Sequence, residues 1–218
     1  GIVRGFNSER VFSLTLCSLL IDIGMAKVRL EVLTKNERLT PEEFKEITRH
    51  VEYSQEILAQ EFSDFPFLVP IAGQIHEREN GGGYPEGMKG ENIHEFAKII
   101  GLCDVYTAMV SRKAHREDFS GYATLQQIIS RRGIDFSPHI VKSLIDVISV
   151  FPVESLVKLN NGVVGRIIDI SPVPPTRPKM LILINSEGER LKNPKFLDLE
   201  QEPLLYVDVP NIEEGVLL

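Results

Sequence analysis

The spacing of apolar residues changes once, near residue 152, and that change restricts the chain to two kinds of structure in series. Up to Phe151 apolar residues recur at helical intervals. The stretch "TPEEF" marks the clearest helix start: Thr40 caps, Pro41 suits the first helical position, and Glu43 completes a capping box. Phe44, Ile47, Val51 and Leu58 then line one face of a helix running to about Gln60. A second helix is predicted from about Ile93 to Ser111, with Phe96, Ile99, Ile100, Cys103, Tyr106 and Val110 on its inner side. A third, Tyr122 to Arg132, stops at Gly133, and a fourth opens with Ser137 as cap and Pro138 behind it.

After Pro152 the pattern is that of strands. "LVKLNNGVVGRIIDI" places two β-rich runs around Asn161-Gly162, a strong hairpin signal. "PVPPTRP" reads as a rigid loop, "KMLILI" as a strand bounded by "NSEGE", and Phe196 to Leu199 and Leu204 to Val209 as further strands. The expected fold is mainly α: a helical domain over 1–152, then a small antiparallel β domain over 153–218.

A net charge of −7 argues against broad nucleic-acid binding, so no DNA partner is expected. Cys17 and Cys103 lie in apolar runs and read as buried free thiols, which fits a reducing cytoplasm. The longest apolar stretch, Leu14 to Val28, contains Asp22 and Gly24 and so is no membrane span. The chain opens on Gly1, and fusion to an upstream domain is expected.

Four residues have the chemistry of metal ligands. Asp22 falls in "LCSLLIDIGMAKV", a run expected to be mostly buried, where a bare carboxylate needs a cation or donors. Asp104 raises the same question one turn from Ile100 and Ala108. His50 precedes Val51, and His76 precedes a glycine-rich loop, "HERENGGGYPEG". Two acids and two histidines on separate inward-facing segments could converge on a divalent cation. Arg112, Lys113, His115 and Arg116 form a basic run suited to a helix end or to phosphate. His94, His115 and His139 show no ligand spacing and are expected at the surface.

Taken in order, "LLIDIG", "LTPEEF…RHVEYSQEIL", "HERENGGGYPEGMKGENI" and "AKIIGLCDVYTAMVS" resemble the HD-GYP family, a branch of the HD superfamily of metal-dependent phosphohydrolases. The resemblance covers roughly Leu14 to Phe151, and the later segment is similar to a small β extension that follows some of these domains. It implies an HD-type α-helical bundle, hydrolysis of cyclic di-GMP, and iron or manganese as cofactor. His50 and Asp104 fit the family's ligand pattern, as do Gly81, Gly83, Tyr84 and Pro85 in the loop and Arg116 beyond the last helix. Departures are as informative. Ile21 precedes Asp22 and Ile75 precedes His76 where the family has histidines. Met25 stands in place of a lysine, Asn80 in place of an acid and Thr107 in place of a further acid.

Ile21 and Ile75 have no lone pairs, so Asp22, His50, His76 and Asp104 are expected to hold at most one weakly bound ion. Phosphodiester hydrolysis in such a site needs neighbouring ions that clamp phosphate and lower the pKa of a water. Losing half of that clamp costs on the order of 10³-fold in rate. The leading expectation is therefore a degenerate signalling domain that binds cyclic di-GMP, or a signalling protein such as a GGDEF-type cyclase, without hydrolysis. A working phosphodiesterase and a purely structural, signal-transmitting module are the alternatives. The loop at Gly81 to Pro85 has two readings: a frame for nucleotide or protein, or simply a tight turn closed by Pro85 and covered by Tyr84.

Overall fold

The computed structural model describes residues 1–35, 37–113, 121–148, 151, 153–170, 176–210 and 212. Eight α-helices precede five strands among these residues. They are α1 (Ser8–Leu20), α2 (Leu30–Leu33), α3 (Pro41–Thr48), α4 (His50–Glu61), α5 (Leu68–Ala72), α6 (Glu95–Lys113), α7 (Gly121–Ser130) and α8 (Pro138–Ile148). The strands are β1 (Leu156–Leu159), β2 (Val164–Asp169), β3 (Lys179–Ile184), β4 (Arg190–Asp198) and β5 (Val207–Pro210). By internal contacts the chain forms two units, one of Gly1–Val105 with Arg131–Ile140, the other of Tyr106–Ser130 with Val141–Leu218.

The first unit is built on an apolar cluster that includes Leu14 and Cys17 of α1, Leu58 of α4, Leu68 and Ile71 of α5, Ile75, and Phe96, Ala97 and Ile100 of α6. The capping box at Thr40 forms as expected, with both reciprocal hydrogen bonds in place. The helix that follows does not run to Gln60. It breaks at Arg49, whose N–H turns back to the Glu46 carbonyl (3.2 Å), while the Ile47 carbonyl bonds Nδ1 of His50 at 2.6 Å. An unbroken helix would give that carbonyl to Val51. The break also turns Phe44 outward, where 54% of it is exposed, so it does not share the buried stripe of Val51 and Leu58.

Cys103 is a second correction: Cys17 is buried, but Cys103 is exposed. Along α6 the buried positions are Phe96, Ala97, Ile100, Gly101 and Leu102. Gly101 presses so close to the Ile75 carbonyl that a Cβ there would lie 2.2 Å from the oxygen. That approach sets the helix rotation and carries Cys103 to the outside.

In the second unit, α7 and α8 bury Leu125, Ile128, Val141 and Leu144. The sheet is antiparallel with strand order β4-β3-β2-β1-β5. The predicted hairpin joins β1 to β2, with Gly162 at φ 88°, the left-handed conformation that favours glycine. Val157, Leu159, Ile167, Met180 and Leu199 form the sheet's own apolar cluster. The run at Phe196 belongs to the longer strand β4, and the last strand begins at Val207 rather than Leu204.

Candidate metal centre

Three of the four expected metal ligands converge. One ligand atom each from Asp22, His50 and His76 lies within 4.8 Å of the others. Each comes from a different local device.

Asp22 sits where α1 gives way to a 3-10 turn, Ile23–Lys27. It is not buried, as the apolar run around it suggested; 49% of its side chain is exposed, because the helix ends at Leu20 and the chain turns there. Ser54 of α4 fixes that turn. Its hydroxyl donates to the Ile21 carbonyl (2.9 Å) and accepts from the Gly24 N–H (2.9 Å). Gly24 lies against α4 so tightly that a Cβ would meet the His50 carbonyl at 2.1 Å.

His50 opens α4 and is 1% exposed. A carbonyl can only accept, so Nδ1 carries the proton that bonds Ile47, and Nε2 is the nitrogen turned toward the group. That nitrogen lies 3.0 Å from Nε2 of His76 and 3.6 Å from Oδ1 of Asp22. Burial, and after it the nearby His50 and Arg78, push the His76 imidazole down to about 3, so it is a neutral donor across the physiological range.

His76 leads into the glycine loop, whose shape is set by Glu77. This buried carboxylate accepts from the N–H groups of Glu86 (2.7 Å) and Met88 (2.9 Å), stapling the far side of the loop. Gly83 crosses over the start of the loop, where a Cβ would lie 2.5 Å from the His76 carbonyl and from the Glu77 Cα. The Tyr84 N–H bonds the same carbonyl at 3.3 Å, and the Tyr84-Pro85 peptide is cis. Tyr84 stacks on His76, with ring centroids 4.8 Å apart and planes 13° apart. Its phenol is pushed up to about 12, chiefly by burial. Asn80 Oδ1 accepts from the Gly82 N–H, and its amide reaches Asp135, so it serves the loop's own architecture.

Asp104 lies outside the close group. Its carboxyl is raised by burial and then by Asp22, while Arg78 and His50 pull the other way, so it shares the electrostatic surroundings of the three. Arg116 and His115 lie outside the described residues, and nothing is described of the side chains of Arg112 and Lys113. His94 and His139 are exposed, as expected; His94 also accepts the Phe96 N–H at the start of α6.

The donor set fits one divalent cation. The two Nε2 atoms, 3.0 Å apart, and a carboxylate oxygen of Asp22 lie close enough together to be shared by a single ion. Ile75 is buried in the apolar cluster of the first unit and Ile21 is partly buried against it, so neither adds a donor to the group.

Comparison with known proteins decides the family. The HD domain matches residues 3–139. The chain belongs to the HD domain family. A KOW domain associated with the HD domain matches residues 156–214, which contain the whole sheet. Cyclic di-GMP phosphodiesterase PdeB of Borreliella burgdorferi is 28% identical over 99% of this chain and 55% of its own length. The cyclic di-GMP phosphodiesterase response regulator RpfG of Xanthomonas campestris pv. campestris is 32% identical over 65% of this chain and 38% of its own. The chain therefore spans about half or less of these relatives. A solved cyclic GMP-AMP specific phosphodiesterase of Vibrio cholerae aligns with 64% of this chain and 38% of its own at TM-score 0.49 and 20% identity. No helix among the described residues of this HD protein is long and apolar enough to cross a membrane.

Sequence reasoning missed Ser54 and Glu77, the two residues that position the ligands. Ser54 had a signal: it is a polar residue on the His50–Leu58 stripe of α4, four positions from each. Glu77 had none, since its partners are backbone groups nine and eleven residues away.

Proposed function

We propose that this HD domain is a cytoplasmic signalling module that binds cyclic di-GMP and does not hydrolyse it. The observation that carries the reading is the donor set: among the described residues Asp22, His50 and His76 form one candidate ligand group, and the neighbouring Ile21 and Ile75 carry no donor atom. Iron or manganese bound there would polarise a phosphate oxygen. The chain's own part is to hold His50 in the tautomer that exposes Nε2, to keep His76 neutral, and to fix Asp22 through Ser54. Asp104, raised by burial, stands outside the close group, and no second group forms among the described residues. The names of the relatives support cyclic di-GMP as the ligand. A GGDEF-type cyclase is the protein partner that such a module would serve.

Metal analysis, turnover and calorimetry with cyclic di-GMP test this together. The expected result is no more than one ion per chain, measurable heat of binding, and no turnover. Two or three ions per chain, with turnover abolished by Asp22→Ala, would establish a working phosphodiesterase instead. Absence of any nucleotide binding would leave the structural-module reading. Restoring Ile21→His and Ile75→His together should raise the metal content if missing donors are what limits it.

A further inference from the structure

Phe44 is a large apolar side chain that α3 turns outward, and its neighbours are not random. Its ring meets Tyr84 edge to face, with centroids 6.3 Å apart and planes at 79°. Tyr84 stacks on His76, and His76 meets His50 edge to face at 4.9 Å. Phe44 is thus the outer end of a continuous series of rings whose inner end is the metal-ligand pair. More than half of its surface is open to solvent. The start of α3 is also firmly held. The capping box fixes Thr40 and Glu43, and Lys35 bonds both oxygens of Glu43 at 2.7 Å.

We propose that Phe44 is a base-stacking platform: a purine of the bound nucleotide lies on its ring while the phosphate sits over Asp22, His50 and His76. The inference rests on the nucleotide-binding reading above and adds the base subsite to it. Phe44 stands two ring contacts from His76, with centroid steps of 6.3 and 4.8 Å. An aromatic ring offers a purine face-to-face contact, independent of the hydrogen bonds that distinguish one base from another.

The chain contains no tryptophan, so Phe44→Trp introduces a single reporter that keeps an aromatic surface. Cyclic di-GMP should quench its emission, saturating at the concentration that saturates the heat of binding to the unaltered protein. Phe44→Ala should weaken binding at least about five-fold, given the usual cost of removing a stacked ring. Phe12→Trp is the control: that residue is 57% exposed but pairs with Phe65 rather than with the site's rings, and its emission should not change. Equal affinity of Phe44→Ala, a silent Phe44→Trp at saturating nucleotide, or equal quenching of Phe12→Trp would overturn the platform and leave nucleotide binding intact. No heat and no quenching with any of these proteins would instead overturn the nucleotide reading, and the platform with it.

Discussion

Ser54 satisfies two buried backbone groups at once, the Ile21 carbonyl and the Gly24 N–H, and so holds the turn that carries Asp22. Ser54→Ala would leave both without their partner, at a cost of about 1–3 kcal/mol. Urea unfolding should show that loss, and metal content should fall with it because Asp22 is released. Cys17 gives a second residue-scale prediction. Burial pushes its thiol up to about 11, from an ordinary value near 9. The unfolded chain ionises this thiol first, so its contribution to stability is complete below about pH 9 and is lost as pH rises from there through about 11. The stability difference between the unaltered protein and Cys17→Ala should shrink in that window, as read by urea midpoints. At neutral pH, thiol reagents should label exposed Cys103 well before Cys17. At this scale the convergence of Asp22, His50 and His76 was legible, because they are chemically distinctive residues in a recognisable order. Their surroundings were not. The burial inferred for Asp22 assumed that its apolar neighbours continue a helix, and the helix stops two residues earlier.

At the scale of elements, the glycine loop is a device for placing Tyr84. Glu77 staples its far side through two backbone N–H groups, and Gly83 allows the crossing over His76. Glu77→Gln keeps the volume but turns an amide N–H₂ toward one of two donors that now face it. A loss of about 1–3 kcal/mol is expected, with a change in the tyrosine near-UV dichroism as the Tyr84–His76 stack loosens. Unchanged dichroism and unchanged stability would mean that the glycines and Pro85 hold the loop unaided. Helix starts were readable because caps are local: Thr40, Pro41 and Glu43 act within one turn. The break between α3 and α4 was not. It depends on His50 taking the Ile47 carbonyl, and a sequence does not state which acceptor a histidine will choose. The exposure of Phe44 follows from the same break.

For the whole molecule, the shift from helical to strand periodicity near residue 152 was legible because periodicity belongs to each segment alone. The grouping of α7 and α8 with the sheet unit depends on contacts between distant parts of the chain, which no local pattern encodes. The two named apolar clusters share no residue, one centred on Leu58, Leu68 and Ile75, the other on Ile167, Met180 and Leu199. A cavity opened in one cluster should therefore be felt first by its own neighbours. Met180 is fully buried, and Met180→Ala should cost about 2–5 kcal/mol through lost contact and an unfilled cavity. Hydrogen exchange can locate that cost. Amides of β1, β2 and β3 should lose protection, while those of α4, which carries His50 and Ser54, keep theirs. Metal content should then equal that of the unaltered protein, since all three ligands belong to the first unit. Equal loss of protection in α4 and in the sheet would show instead that the units unfold as one, and the sheet would then be a condition for the metal group rather than an addition to it.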